Sequence, residues 1–374
     1  MKIKREILSN LVEELDNPKI LILLGARQVG KTFLLNELET HCKKKKKKTK
    51  YFNLELPDHS RYFAKDIVEL YKEVTKDIDY LFIDEFQYFN NASKFFKAIF
   101  DDKRNKTKVV ASGSSSLEMH KHLKESLTGR KTTKIIRTLN FNEFSQTKQP
   151  FNSYLQYGGN PELVHIRSIN KKMEVLKEIL QTYIMKDVKS LIKEENISAF
   201  NHLIYFLASS QGQIVSTSNL SNELNVTNAT VESYLNILEQ TYILYKLNSF
   251  SGNLSNELKK SRKYYLYDLG IRNSILNNFS SIRERQDKGT IYESYVYYFL
   301  KNNCPPNGEI RFWRTKDGKE IDFILLINNK PSVVEVKSKL SRKEISDSIK
   351  SFIKFVALHI ILCIVHEGVV TLLR

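Results

Sequence analysis

The segment that most limits what this chain can fold into lies near its N-terminus. A helical pattern at Ile7, Leu8, Leu11, Val12 and Leu15 stops at Asn17-Pro18. Lys19-Ile-Leu-Ile-Leu-Leu24 is then apolar at successive positions, as a strand buried on both faces of a parallel sheet is. It runs into Gly25-Ala26-Arg27-Gln28-Val29-Gly30-Lys31-Thr32, and a helical pattern follows from Phe33 to Leu38. Strand, glycine-bounded loop and helix in this order make a phosphate-binding loop. Glycines let backbone N–H groups turn inward, and the helix N-terminus adds a favourable dipole. In such a loop the backbone from Gly25 to Thr32 cradles phosphates, Lys31 reaches the β- and γ-phosphates, and the Thr32 hydroxyl ligates Mg²⁺. ATP and Mg²⁺ are the expected ligands, and a parallel α/β sheet is the expected frame.

Two later strands supply the rest of that chemistry. Tyr80-Leu-Phe-Ile-Asp84-Glu85 is a hydrophobic strand ending in adjacent carboxylates, which are costly to bury unless a cation or substrate satisfies them. Asp84 suits the Mg²⁺ ligand, and Glu85 suits the base that polarises an attacking water. Val109-Val-Ala-Ser112-Gly113-Ser114-Ser115 is a further strand with a hydroxyl tip. Ser112 and Ser114 are both candidates to sense the γ-phosphate and hold the water. Leu127-Thr-Gly129-Arg130 closes a helical stretch. Arg130 is either a phosphate contact, in its own chain or a neighbouring subunit, or a surface arginine. A shorter strand is expected at Tyr51 to Leu54.

These segments, with Ile83-Asp-Glu-Phe-Gln87 and Phe141-Asn-Glu-Phe144, stand in an order that resembles a prokaryotic family of AAA+-superfamily ATPases carrying a further C-terminal domain. Tyr157-Gly-Gly-Asn-Pro161, Tyr183-Ile-Met-Lys-Asp187 and Tyr267-Asp-Leu-Gly270 extend the resemblance over nearly the whole chain. It implies an ASCE P-loop ATPase.

Charge bears on the choice of partner. The chain carries 59 Lys and Arg against 42 Asp and Glu, a formal +17. Lysine supplies 44 of those bases, and seven lie in Lys43 to Lys50, a run expected to be a solvated loop. Without it the excess falls to +10. A basic field favours phosphate without making a site, so DNA or RNA and a protein client both stand as partner classes. The longest apolar stretch, Phe355 to Val365, is broken by His359 and falls short of the roughly 20 residues of a membrane span. Cys42, Cys304 and Cys363 lack metal-ligand spacing and suit a reducing cytoplasm.

The middle of the chain reads as helical. Periodicity runs from Met173 to Lys193 and resumes from Phe200 to Ala208. Ser218 to Leu224, a turn at Asn225-Val226, and Thr227 to Leu238 form a helix-turn-helix pattern with Leu220, Leu224, Val226, Val231, Leu235 and Leu238 at core spacing. Tyr242 to Leu247 and Lys263 to Tyr267 follow as the strands of a wing, which makes a winged helix. Its second helix presents Asn228, Thr230, Glu232, Ser233, Asn236 and Glu239 to solvent without a base, against groove docking. The wing, with Lys259, Lys260, Arg262 and Lys263, is the compensating basic element.

The last third holds a second constellation. A helix from Lys288 to Leu300 carries Glu293. Strands at Arg311 to Thr315, Glu320 to Ile327 and Ser332 to Lys337 form a meander turning at Lys316-Asp-Gly318 and Asn328-Asn329-Lys330. Glu335 and Lys337, two apart, share a face. A turn at Asn329 pairs Asp322 with Lys337 or with Glu335, according to register. Glu293, Asp322 and Glu335-Val-Lys337 together resemble the PD-(D/E)XK nuclease superfamily. That resemblance implies carboxylates holding Mg²⁺ and Lys337 orienting the hydrolytic water. The expected organisation is a P-loop ATPase domain over 1–150, a helical connector over 151–197, a winged helix over 198–268 and a small α/β restriction-endonuclease-like domain over 269–374. In function it is an ATPase driving its C-terminal module, on nucleic acid or otherwise, or else a nucleotide-gated regulatory or scaffold protein.

Overall fold

The computed structural model describes residues 2–114, 127–188, 192, 197–250, 262–315, 317–337, 352, 359–366 and 369–373, with backbone alone for 185–188, 359–366 and 369–373. Two compact units are present, one of Lys2–Leu139 with Gln240–Ile243, the other of Asn140–Glu239 with Leu244–Arg374.

The first unit is a parallel α/β sheet. Its strands are β1 (Ile20–Leu24), β2 (Thr49–Asn53), β3 (Tyr80–Asp84), β4 (Lys108–Gly113) and β5 (Lys131–Ile135), in spatial order β2-β3-β4-β1-β5. β1 is buried at every position, as its unbroken apolar run requires. Ile20, Ile22, Ile83 and Ala111 face one cluster with Leu70, Val74, Phe95, Phe96 and Ile99, from helices Ile67–Thr75 and Ala92–Asp101. Helix Lys31–Lys44 buries Leu34, Leu35 and Leu38 and packs on β3 and β4. The lysine run is therefore not all loop. Lys43 and Lys44 end this helix, and Lys50 lies in β2.

In the second unit, helix Ile169–Ile179 continues as a π-helical segment, Leu180–Val188, and helix Ile197–Ser209 follows. Residues 189–191 and 193 of the expected helix lie outside the described residues. Strand β6 (Ile214–Val215), helices Thr217–Leu224 and Asn228–Gln240, then β7 (Leu244–Leu247) and β8 (Arg262–Leu266) come next. The three strands form an antiparallel sheet in the order β6-β8-β7. Asn225 ends the first of the two helices at φ 50°, a left-handed turn that asparagine tolerates. Leu220, Leu224, Val231, Leu235 and Leu238 are buried with Phe200, Leu203 and Leu207.

A second sheet follows helix Lys288–Asn303. Its strands are β9 (Gly308–Arg314), β10 (Glu320–Ile327), β11 (Lys330–Lys337), β12 (His359–His366) and β13 (Val369–Leu373), ordered β13-β12-β11-β10-β9. β11 and β12 run parallel and the other neighbours antiparallel. Ile327 pairs with Lys330 across Asn328-Asn329, both at positive φ, the two-residue turn that matches strand twist. One extra residue in β10 between Ile321 and Ile324 shifts its register against β9. That bulge lets Ile321 and Ile324, three apart, join one apolar cluster with Trp313, Val333 and Phe352.

The connector glycines are explained by close approach. Asp268 caps helix Leu269–Ile275 by accepting from Gly270 N–H at 2.7 Å and also accepts from Gly159 N–H at 2.9 Å. A Cβ on Gly158 would lie 1.9 Å from Asp268 Oδ1, and one on Gly270 would lie 2.1 Å from the Tyr157 carbonyl oxygen. The Tyr157-Gly-Gly-Asn-Pro161 and Tyr267-Asp-Leu-Gly270 segments are thus two halves of one backbone joint. A backbone oxygen cannot swing aside as a side chain can, so Gly270→Ala should cost about 1–3 kcal/mol of unfolding free energy, as overpacking does. Urea denaturation at unchanged m-value measures it, and an unaltered midpoint would contradict the joint.

Candidate functional site

In the first unit the three motifs meet at the C-terminal ends of adjacent strands. β4 lies between β1 and β3, pairing Leu23 with Ser112 and Ile83 with Ala111. Ser112 therefore sits between the phosphate loop and the acids. Asp84 is fully buried. Its carboxylate accepts from the Ser112 hydroxyl and, at 3.1 Å, from the Tyr51 phenol. Burial, with Asp84 beside it, holds that phenol protonated well above its usual range. Glu85 leaves the strand in a left-handed conformation, φ 52°. Its carboxylate accepts from the Gln87 amide, which also donates to Ser114 Oγ at 2.8 Å.

The loop itself is tightly held. A Cβ on Gly25 would lie 2.1 Å from the Ile136 carbonyl oxygen, and Gly30 begins the helix at φ 93°. Either position strains any other residue. Arg5 donates to the Val29 carbonyl at 2.9 Å and to the Arg137 carbonyl at 2.8 Å, pinning the loop to the segment after β5. Arg27 donates to the Tyr88 hydroxyl. Lys31 is buried and folds back onto the carbonyls of Gly25 (3.2 Å) and Ala26 (2.8 Å). Burial draws its pKa down, opposed by Glu85 and Asp84. Thr32 is exposed in the first helical turn.

This donor set fits Mg²⁺ with a triphosphate: an oxygen-only pair in Thr32 and Asp84, an ammonium, and a glycine-bounded backbone loop before a helix N-terminus. The buried Gln87 Oε1 has no donor among the described residues, as happens at positions that take water or ligand. Arg130 is elsewhere. It immediately precedes β5, beside Ile20, at the far end of a sheet about 16 Å long, and forms a bidentate ion pair with Asp101. The expected phosphate contact within its own chain is replaced by that pair.

The second unit gathers the other predicted residues differently. The β10–β11 register pairs Phe323 with Val334, so the next position sets Asp322 opposite Glu335 rather than Lys337. There the ladder gives way, and Val336 N–H donates to Asp322 Oδ2 at 2.7 Å. Lys337 pairs with Glu335 at 2.8 Å. Glu293 joins them with two donors already attached, Lys263 Nζ at 3.0 Å and the Tyr265 hydroxyl at 2.7 Å. Lys263 Nζ also lies 2.7 Å from Glu320 Oε1, and its side chain is only 1% exposed. Burial lowers the Lys263 pKa, but Glu293, Glu320 and Asp322 outweigh it and hold the ammonium charged. Asp322 is pushed up to about 7, by burial first and by Glu293 second, with Lys263 and the Val336 N–H opposing.

Among the described residues no three Asp, Glu, His or Cys side chains converge as metal ligands. The Glu293, Asp322 and Glu335 set expected to hold Mg²⁺ does not fit that ion as it stands. Nor is the wing a free basic surface. Lys263 is interior, Arg262 bonds Glu232 at 3.1 Å, and Lys246 bonds Glu239 at 2.7 Å. Lys259 and Lys260 lie outside the described residues.

Comparison with known proteins accords with the first unit. Residues 17–145 match the family described as an AAA domain. This unit has the fold of a P-loop AAA-type ATPase. Residues 148–281 and 288–369 match two families, each described as a domain of unknown function (DUF8612 and DUF4143). An uncharacterized protein of Methanocaldococcus jannaschii is 28% identical over 90% of this chain and 78% of its own length. One of Haemophilus influenzae is 26% identical over 86% and 83%. AMPPCP-bound DnaA of Aquifex aeolicus aligns with 63% of this chain and 86% of its own at 15% identity, with a TM-score of 0.31, too slight a likeness to carry weight. Among the described residues no helix is long and apolar enough to cross a membrane.

Arg5, Tyr51, Glu320 and the interior position of Lys263 escape a reading by motif. Only the alternation Lys263-Tyr-Tyr265, which puts both on one strand face, hints at the last. The raised Asp322 carboxyl has a pH consequence. From about pH 4 to about 7 the folded chain keeps a proton that the unfolded chain releases, so this group's contribution to stability falls as pH rises through that window. Asp322→Asn should flatten the slope in denaturant titrations across it. Equal slopes in variant and wild type would place the proton elsewhere.

Proposed function

We propose that the chain is a cytoplasmic Mg²⁺-dependent ATPase whose cycle of binding and hydrolysis drives a conformational change in the C-terminal unit. The observation that carries the reading is the junction of Gly25–Thr32, Asp84-Glu85 and Ser112-Gly113-Ser114 across three adjacent strands. Thr32 and Asp84 would hold Mg²⁺, which supplies charge neutralisation at the β- and γ-phosphates. Lys31 leaves its own loop carbonyls for the phosphates. Glu85 takes the proton of an in-line water, oriented by Gln87, while Ser112 and Ser114 report the γ-phosphate to β4.

For the second unit the order helix, strand, two helices and two strands supports a winged helix, and the sheet after helix Lys288–Asn303 supports a restriction-endonuclease-like fold. A DNA or RNA partner draws support from the net charge alone. The ion pairs of Glu232 and Glu239 use wing-strand bases internally and favour the second reading, a nucleotide-gated regulatory or scaffold protein that moves a protein client.

Two variants test the nucleotide site. Lys31→Ala removes the ammonium that reaches the phosphates, and ATP affinity should fall at least tenfold, about 1.4 kcal/mol. Undiminished binding in calorimetry excludes the loop as the nucleotide site. Glu85→Gln keeps the shape and removes the base, so ATP should bind normally while turnover falls by roughly 10² or more. Wild-type turnover in that variant would hand the water to another residue.

A further inference from the structure

The residues that resemble a metal-dependent nuclease already enclose a cation of the chain's own. We propose that the Lys263 ammonium is the resident cation of the Glu293, Glu320 and Asp322 cluster, so that the wild-type chain takes no divalent metal there and the sheet is not a metal-dependent nuclease.

Lys263 Nζ bridges Glu320 at 2.7 Å and Glu293 at 3.0 Å, and the same Glu293 oxygen accepts from Tyr265 at 2.7 Å. Asp322 accepts from a backbone N–H, and Glu335 is paired with Lys337. Each carboxylate that a divalent ion would need is thus engaged by a donor from the chain. An ion brought to Glu293 and Asp322 would sit within a few ångströms of a desolvated ammonium, where like charges repel strongly. The ammonium also lies over the Phe312 ring, with Nζ 5.6 Å from the centroid. Tyr265 stacks on Tyr297 at 4.3 Å, and Tyr297 on Phe323 at 5.9 Å.

Lys263 comes from β8, the strand that closes the helix-turn-helix sheet, whereas its acids come from helix Lys288–Asn303 and β10. The cluster therefore acts as an electrostatic staple between those two parts of the second unit. The Asp…Glu-x-Lys pattern persists while its metal chemistry is replaced. Nothing in this inference involves Lys31, Glu85 or nucleotide, so it stands or falls apart from the ATPase reading.

The test is Mn²⁺ binding followed by electron paramagnetic resonance on the nucleotide-free full chain, at about pH 8 so that Asp322 is ionised. Wild type should show no Mn²⁺ site that Asp322→Asn removes. Lys263→Met should gain one site at least tenfold tighter than any in wild type. The Lys263→Met/Asp322→Asn double variant should lose that gain, and Mn²⁺ should raise the melting temperature of Lys263→Met but not of wild type. A wild-type Mn²⁺ site abolished by Asp322→Asn overturns the proposal, as does a folded Lys263→Met without the gain. If Lys263→Met does not fold, the wild-type and Asp322→Asn pair decides the matter alone.

Discussion

Parallel pairing of β4 with both β1 and β3 is what makes one site of three motifs that lie far apart in the chain. Neighbouring strands run about 4.8 Å apart, so β1 and β3 are separated by about 10 Å at the sheet edge. That gap has the dimensions of a phosphate chain with its cation. Because β4 lies beside β3, the Ser112 hydroxyl reaches the Asp84 carboxylate. The crossovers that produce this order need helices on both faces, and the helix after the phosphate loop is one of them. The loop is therefore positioned by the same element that covers the sheet.

The second unit turns its charges inward. Lys263 is closed among carboxylates, and Arg272 and Arg285, each with a side chain only 1% exposed, share Asp287. Helix Leu269–Ile275 and its cap are tied to their surroundings by bonds from Arg272 to the Ala208 carbonyl, from Arg285 to Asn273 Oδ1 and from Gly159 N–H to Asp268. A formal +17 thus overstates what a nucleic acid would meet, because several bases hold the fold together. Breaking such a pair is costly, since the remaining charge stays buried.

Much of the first unit was legible because its signals are local. An unbroken apolar run, a glycine loop and a strand ending in two acids each carry their structure within a few residues. β5 gave no such signal. Lys131-Thr-Thr-Lys-Ile135 is a half-buried edge strand without an apolar run, and only pairing with β1 organises it. The lysine run misled in the opposite sense, since charge says nothing about whether a helix has ended. In the second unit β7 to β11 and the Asn-Asn turn were readable, but β6, β12, β13 and the bulge before Ile324 were not. Lys263 was read as a surface base because its neighbours in sequence are basic, whereas its neighbours in space come from residues 293 and 320. Long-range burial of a charge leaves no periodicity to detect.

The account's central claim is that the β1, β3 and β4 tips form one nucleotide site. A crystal structure with a non-hydrolysable ATP analogue and Mg²⁺ tests it most directly. Lys31 Nζ should leave the Gly25 and Ala26 carbonyls for the terminal phosphates, with Mg²⁺ between the Thr32 hydroxyl and the Asp84 carboxylate. Lys31 still seated on its own loop, with the analogue bound elsewhere or not at all, would contradict it.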